Sequence, residues 1–189
     1  MRTFIISMKI FLFFTVLTGL AYPLLVTGIV QVVFHDKANG SLIVKDNRII
    51  GSELIGQNFD SIIYFTSRPS AISYSSLPSG GSNYGLTNFK LKEVVEERKN
   101  QFIIFNNTDS TTVIPSEMLF ASASGLDPHV SPEAVNLQVN RISEARNFTE
   151  TQKLRLINLI KDMTENPYFS FLGADRINIL KLNLELDKI

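Results

Sequence analysis

The chain lacks cysteine and contains only two histidines among its 189 residues. The absence of cysteine excludes disulfides, thiol nucleophiles and thiolate metal ligands together. His35 and His129 are far apart, and neither belongs to an H-E-x-x-H or H-x-x-E-H motif, so no metal centre is predicted. The 18 basic residues balance the 18 acidic ones, without a basic patch or an acidic tail, so we do not expect nucleic-acid binding.

Charge is also missing from one long stretch, residues 10–34. As a helix this stretch would rise about 37 Å, enough to cross a hydrocarbon core about 30 Å thick. A cleaved, secreted binding protein is an alternative, because Ala38-Asn39-Gly40 is a weak small-x-small site that would leave Ser41 as the mature N-terminus. Signal peptides, however, have apolar cores of only about 7–15 residues, which favours a retained membrane helix.

The basic residues that flank the span indicate its orientation. Arg2 and Lys9 precede it and favour a cytoplasmic N-terminus, although Lys37, Lys45 and Arg48 follow soon after it. We therefore predict three parts: a cytoplasmic segment at residues 1–9, a transmembrane helix at 10–34 and one extracytoplasmic domain at 35–189.

The predicted span carries a row of small, polar or helix-breaking residues spaced by four. They are Thr15, Gly19, Pro23, Thr27 and Gln31. On a helix such a row forms one ridge, where small residues permit close approach and hydroxyls or amides bond across the contact. Pro23 also frees the carbonyl four residues earlier. The row predicts that the helix packs against other membrane helices.

The remaining sequence predicts an α+β domain with a small β-sheet and about three helices. A hairpin is expected from strands at 41–44 and 48–50. The last strand is expected where Leu180, Leu182, Leu184 and Leu186 alternate with polar residues, because a period of two is typical of a half-buried strand.

The three helices are predicted from their caps and apolar faces. Asn88 caps a helix with Leu91, Val94, Val95, Arg98 and Phe102 on one face, and Ser131-Pro132 begins a helix that continues to Arg146. Thr149 and Gln152 form a capping-box pattern for the third helix. Its predicted buried face is Leu154, Ile157, Ile160 and Met163.

Catalytic motifs are scarce in this sequence. It contains neither G-x-S-x-G nor G-x-x-x-x-G-K-[ST]. Ser124 and His129, with Asp127 between them, leave open a membrane-anchored extracytoplasmic serine hydrolase. Members of a catalytic triad normally come from distant segments, however, so turn and capping roles explain these residues better. We predict no catalytic residue.

Two further features are candidates for partner binding. Residues 67–88 form a long loop rich in Ser, Gly, Pro and Asn, and such loops are usually functional or disordered. Arg68, Arg141 and Arg146 fit either surface ion pairs or polar contacts with a partner. The predicted soluble contact residues are Arg68, Ser79, Gly80, Gly81, Ser82 and Asn83, with residues 122–129 as a second choice.

Several segments occur in an order that resembles a known family. They are L-T-G-L-A-Y-P-L-L at 17–25, G-S-x-L-I-G-Q-x-F at 51–59, Y-F at 64–65, R-P-S-A at 68–71, S-G-G-S-N at 79–83, A-S-A-S-G-L-D-P at 121–128, Q-x-x-R at 138–141, A-R at 145–146 and N-x-L-x-L-N at 178–183. This ordered set is similar to the C subunit of the bacterial Kdp-type potassium-transporting ATPases and covers nearly the whole chain. Tyr84, directly after the S-G-G-S-N segment, is a small departure from the pattern.

The resemblance implies an accessory, non-catalytic subunit of an ATP-driven potassium uptake complex in the bacterial inner membrane. Its partners would be a potassium-binding, channel-like A subunit, a P-type ATPase B subunit and a small F subunit. ATP and potassium would belong to the complex, and this chain would have no cofactor of its own. The family is also described as raising the affinity of the ATPase for ATP, and Gln138 would be the nucleotide-binding candidate. With a cytoplasmic N-terminus, Gln138 and ATP would lie on opposite sides of the membrane, so we expect an indirect effect.

Overall fold

The computed structural model describes residues 1–169 and 171–189 and divides into two compact units. The first unit comprises residues Met1–Ile50 and the second Gly51–Ile189. The first contains the apolar helix, and the second contains the domain core and the loops predicted to bind a partner.

One long apolar helix dominates the first unit. It consists of α1 (Arg2–Val16), a π-helical turn (Leu17–Ala21) and α2 (Tyr22–Val33). Together these form a helical stretch of 32 residues whose most apolar window is 0% buried, long and apolar enough to cross a membrane once. The helix begins at Arg2, earlier than the uncharged stretch alone predicts.

The π-helical turn lies where Pro23 interrupts the backbone ladder. Tyr22 N–H donates to the carbonyl of Leu17, an i→i+5 bond in place of the usual i→i+4 bond. Such turns, like prolines, are common sites of helix irregularity. Thr15 Oγ1 donates to Phe11 O at 2.8 Å, so its hydroxyl is already satisfied within the helix. A Cβ added at Gly19 would meet nothing within 4 Å, which leaves this part of the ridge open.

The predicted hairpin is confirmed. After the short helix α3 (His35–Ala38), strand β1 (Leu42–Lys45) pairs with β2 (Arg48–Ser52). The turn residues Asp46 and Asn47 have φ values of 50° and 60°, as the favoured two-residue hairpin turn requires.

The second unit is mainly helical, with one small sheet. Its elements are α4 (Phe89–Asn106), a 3₁₀ turn (Ser116–Met118), β3 (His129–Val130), α5 (Pro132–Asn136), α6 (Val139–Ala145), α7 (Glu150–Asp162), β4 (Ile177–Asn178) and α8 (Ile179–Leu186). Strand β3 pairs antiparallel with β4. The predicted caps at Asn88 and Ser131 and the capping box of Thr149 with Gln152 are all present. The architecture is compatible with an α+β fold.

The core lies where α5 to α8 and the apolar segment around Phe65 meet. Ala134, Ile142, Leu156 and Leu182 are each 0% exposed in this cluster. Phe65 is also 0% exposed, although it belongs to no helix or strand. The core therefore includes an irregular segment, and that segment continues directly into the loop that carries Arg68.

The strand predicted at Leu180–Leu186 is wrong, because this segment is helix α8. Asn178 caps it by accepting from Lys181 N. Ile179, Leu182, Asn183 and Leu186, spaced by three and four, are all nearly or fully buried. This is the spacing of a helical face. The helical face was hard to recognise in the sequence because one of its buried positions, Asn183, is polar.

Two helix predictions also need correction. The helix predicted from Ser131 to Arg146 is divided by a break at Leu137–Gln138 into α5 and α6. In α7 the buried residues are Leu156 and Ile160, whereas Leu154 is 60% exposed. The predicted buried face was therefore wrong at Leu154: Leu156, two residues later, packs into the core instead.

Candidate partner-binding surface

A clamp of polar side chains holds residues 62–66, although these residues form no strand. Arg141 donates to the carbonyls of Ile62 and Tyr64, and Arg146 Nε donates to Ile63 O at 2.8 Å. Buried backbone groups need partners, which a neighbouring strand usually provides. Here guanidinium groups take that place.

Amide side chains complete the same clamp. Phe65 N donates to Asn183 Oδ1 at 2.8 Å, and Asn183 Nδ2 donates back to Phe65 O at 2.9 Å. The Asn183 side chain thus bonds both polar backbone groups of Phe65, as a strand neighbour would. Residues 62–66 are therefore fixed by long-range contacts from α6 and α8.

Gln138 lies at the centre of the clamp and is 0% exposed. Its Oε1 accepts from Thr66 N at 2.8 Å, from Thr66 Oγ1 at 3.0 Å and from Arg141 Nη2 at 3.0 Å. Its Nε2 donates to Ala134 O at 3.2 Å and to Thr66 O at 3.4 Å. Both polar ends of the amide are bonded within the protein, so this geometry leaves no exposed atom for a nucleotide.

Arg141 is 6% exposed and carries its charge without an adjacent carboxylate in the described residues. Its Nε donates to Asn106 Oδ1 at 2.9 Å, and its guanidinium lies 4.5 Å from the centre of the Phe105 ring. Burial lowers the pKa of Arg141 to about 10. Carbonyl and amide oxygens and one aromatic ring therefore replace water around this cation.

Beyond the clamp, three loops meet to form a single surface, which we call the loop cluster (residues 66–74, 79–83 and 122–129). Gly80 N donates to Ser124 O at 3.0 Å, and Ser70 Oγ donates to Gly125 O at 2.7 Å. Gly125 has a φ of 70°, and a Cβ there would lie 2.5 Å from Ile72 Cγ1. Only glycine tolerates both the angle and the contact.

Arg68 and Asp127 connect two of these loops through an ion pair of 2.8 Å. Asp127 Oδ1 also accepts from His129 N at 3.0 Å, and the Tyr74 hydroxyl donates to Arg68 O. Burial raises the pKa of Asp127, but hydrogen bonds from His129 and the charge of Arg68 outweigh burial, so the pKa lies below its usual value. Burial likewise raises the pKa of the Tyr74 phenol.

The loop cluster presents part of the predicted contact set to solvent. Ser79, Ser82 and Asn83 are exposed, whereas Gly80 and Gly81 are half-buried against residues 122–124. A groove of about 440 Å³ runs beside this loop, with Leu91 and Val94 of α4 in its lining. The structure thus brings Arg68 and residues 79–83 into one cluster, while Thr15, Gly19, Pro23 and Thr27 belong to the helix of the first unit.

The three residues of the hydrolase alternative, Ser124, Asp127 and His129, all lie in the loop cluster. Ser124 Oγ accepts from Leu126 N at 3.1 Å as a turn contact, and Asp127 contacts both Arg68 at 2.8 Å and His129 Nδ1 at 3.4 Å. In the part of the chain that the structure describes, no three His, Cys, Asp or Glu side chains are grouped to hold a metal. A larger cleft of about 640 Å³ lies between residues 58–74 and α4, and Gln138 is not part of its lining.

Sequence reasoning missed the buried asparagines of this region. Asn106 is 2% exposed and Asn183 2% exposed, and both bind the clamp directly. Asn178 is 3% exposed and donates to Glu53 O at 2.8 Å, beyond its capping role. A polar residue at a core position of a helical face is the signal that would have found Asn106 and Asn183, because buried amides need specific partners.

These features define a class: a chain with a membrane-spanning candidate helix and a domain that displays a loop cluster joined by hydrogen bonds and an ion pair. Comparison with known proteins identifies the family. The family model described as "KdpC: K+-transporting ATPase, c chain" matches residues 4–188. The chain belongs to this KdpC family, as the sequence resemblance predicted.

Individual relatives agree with the family match. This chain is 44% identical to the "Potassium-transporting ATPase KdpC subunit" of Leptospira interrogans over 182 residues, which cover 96% of this chain and 92% of the relative. It is 47% identical over 177 residues to the protein of the same name from Bacillus cereus (strain G9842), covering 93% of this chain and 90% of the relative. The Photorhabdus laumondii protein of that name is 44% identical over 187 residues.

Proposed function

We propose that this chain is a non-catalytic accessory subunit of an ATP-driven potassium uptake complex. Its helix would anchor it in the bacterial inner membrane, with the second unit outside the cytoplasm. Its partners would be the channel-like A subunit, the P-type ATPase B subunit and the small F subunit. The observation that carries the proposal is the exposed apolar helix of residues 2–33 in a chain of the KdpC family.

The open ridge of the helix supports a role in assembly. A Cβ added at Gly19 would meet nothing within 4 Å, and Gly19 lies between Thr15 and Pro23 along the row spaced by four. In lipid, helices associate through close packing at small residues, because lipid tails are as apolar as leucine. We assign Thr15, Gly19, Pro23 and Thr27 to contacts with partner helices.

Copurification of glycine variants tests this assignment. Gly19→Leu should reduce recovery of partner subunits by a tagged chain extracted in mild detergent, because leucine prevents close approach. Gly28→Leu is the matched control, since a Cβ at Gly28 also meets nothing within 4 Å and Gly28 lies off the ridge. Equal recovery with both variants would refute the ridge, and recovery of no transporter subunit by the unmodified chain would refute the accessory role.

The second contact is assigned to the loop cluster, at Arg68 and residues 79–83. Contacts to Ser124 and Ser122–Ala123 hold this loop in place, so binding would require little ordering of the chain. Ser82→Lys should impair potassium uptake at micromolar supply without unfolding the domain, because Ser82 is exposed. Ser110→Lys, at another exposed serine, is the control. Normal uptake with Ser82→Lys would contradict the assignment.

Any effect on ATP affinity would be indirect. Gln138 is buried and bonded within the protein, and we propose that it stabilises the surface that partners recognise. The subunit would then favour one conformational state of the pump through differential binding. The test is cross-linking to a photoreactive ATP analogue in sealed vesicles, with nucleotide only in the cytoplasmic compartment. Labelling of this chain at Gln138 would refute the indirect mechanism.

A further inference from the structure

The second unit carries a group of exposed apolar side chains that neither the clamp nor the loop cluster uses. Tyr168 is 68% exposed, Phe169 81%, Phe171 74% and Leu172 54%. We call these four residues the aromatic tip. Single exposed apolar residues are ordinary, but several large ones within one turn mark an interaction site.

The backbone presents these side chains in a formed turn. Leu172 N donates to Tyr168 O at 2.9 Å, and Phe171 N donates to the same oxygen at 3.3 Å. The rings of Phe169 and Phe171 are 6.3 Å apart. The aromatic tip is therefore a local, protruding feature whose rings lie side by side.

Charged groups flank the turn but are absent from it. Residues 166–174 contain no charged side chain. On either side of them, Arg176 Nε pairs with Glu165 Oε2 at 3.0 Å, and the guanidinium lies 5.9 Å from the Tyr168 ring. An uncharged aromatic turn with charged residues at its base, Asp175 as well as the pair of Glu165 and Arg176, fits a medium that is apolar inside and polar at its surface. The interface of a bilayer has this character, and Tyr is enriched there.

The chain itself brings a bilayer within reach. The spanning helix ends at Val33, and the second unit begins at Gly51. Residues 34–50 contain α3 and most of the β1–β2 hairpin, so they span less than about 60 Å, the reach of a fully stretched segment of this length. A domain of this size has a radius of gyration of about 14 Å. The tether therefore permits the aromatic tip to touch the membrane, and it keeps the local concentration of lipid surface high.

We propose that the aromatic tip inserts into the interface of the same bilayer that holds the N-terminal helix. The insertion is a second, shallow membrane contact driven by apolar burial, so it does not require anionic lipid. It rests on the membrane span alone and not on the identity of any partner subunit.

The absence of tryptophan makes the proposal directly measurable. Phe171→Trp introduces a single tryptophan, whose emission can be excited selectively over that of the five tyrosines. Val113→Trp is the control because Val113 is 89% exposed and distant in sequence from the aromatic tip. Each full-length variant is reconstituted into phosphatidylcholine vesicles with brominated acyl chains. Tryptophan at 171 should emit at shorter wavelength and be quenched several-fold more strongly by bromine than tryptophan at 113. Aqueous iodide should show the opposite order.

The remaining outcomes overturn the proposal. Equal bromine quenching at 171 and 113 would show that the aromatic tip stays in water. Protection from iodide that develops only when copurifying subunits are added, without bromine quenching, would show that a protein covers the tip instead. Phe169→Trp provides a second reporter if Phe171→Trp alters the fold, which far-UV circular dichroism reveals.

Discussion

The most informative single substitution is Gln138→Leu, because it separates a structural role from direct nucleotide binding. Gln138 is fully buried and accepts hydrogen bonds from Thr66 N, Thr66 Oγ1 and Arg141 Nη2. Leucine has a similar volume but no acceptor, so the substitution removes hydrogen bonds without leaving a large cavity. The backbone N–H of Thr66 would lose Gln138 Oε1, its acceptor at 2.8 Å.

The expected loss follows from the groups left unpaired. A buried donor that loses its acceptor costs about 1–3 kcal/mol, so the loss at Thr66 and Arg141 together should be about 3 kcal/mol. For a chain of this size that corresponds to a decrease in Tm of about 6–12 °C. The assay is thermal unfolding of the full-length protein in detergent, followed by tyrosine absorbance.

A matched control is available on α4. Gln101 is exposed and donates to the exposed Glu97 Oε1 at 3.0 Å, so Gln101→Leu should change the free energy of unfolding by less than about 0.5 kcal/mol. If Gln138→Leu melts like the unmodified protein yet weakens ATP binding by the assembled transporter, the structural role is refuted. If both stability and assembly fall together, the clamp is the cause.

Three further substitutions test the same framework by thermal unfolding. Arg141→Lys keeps the charge but loses the planar fork that binds several oxygens, and should cost about 3 kcal/mol; an unchanged Tm would contradict the clamp. Gly125→Ala should lower the free energy of unfolding by about 1–3 kcal/mol, because Gly125 has a φ of 70° and an added Cβ would lie 2.5 Å from Ile72. Gly85→Ala should leave stability unchanged, because a Cβ there would meet nothing within 4 Å. The folded-state pKa of Asp127 is lowered, so the carboxylate contributes stability above about pH 4, and this contribution is lost as the pH falls through the folded-state pKa. Asp127→Asn should therefore flatten the fall in Tm below about pH 4. Identical pH profiles of Tm for the variant and the unmodified protein would refute this.

Local features of the fold could be predicted from the sequence because local chemistry determines them. Asn88, Ser131 and Thr149 each cap the helix that was expected to follow them. A cap satisfies backbone donors within three residues, so its signal is contained in a few adjacent letters. The same holds for Asp46-Asn47, whose left-handed angles close the hairpin.

Features that depend on distant contacts could not be predicted in this way. Phe65 is bonded by Asn183, 118 positions later in the chain, and Ile62 by Arg141, 79 positions later. Read alone, residues 62–65 are only a short apolar run. The alternating leucines of α8 misled for a related reason: its buried face includes Asn183, whose partner cannot be read from its neighbours.

The clamp also changes how the Gln-x-x-Arg segment should be interpreted. Gln138 and Arg141 are three positions apart, and both reach residues 62–66. Two residues further on, Arg68 forms the ion pair with Asp127 that connects the loop cluster. A substitution at Gln138 would therefore displace the surface around Arg68 without touching any ligand of its own. Loss of transport in such a variant would then report on the surface that we propose as the partner contact. A stability measurement on the same variant distinguishes this effect from a nucleotide contact.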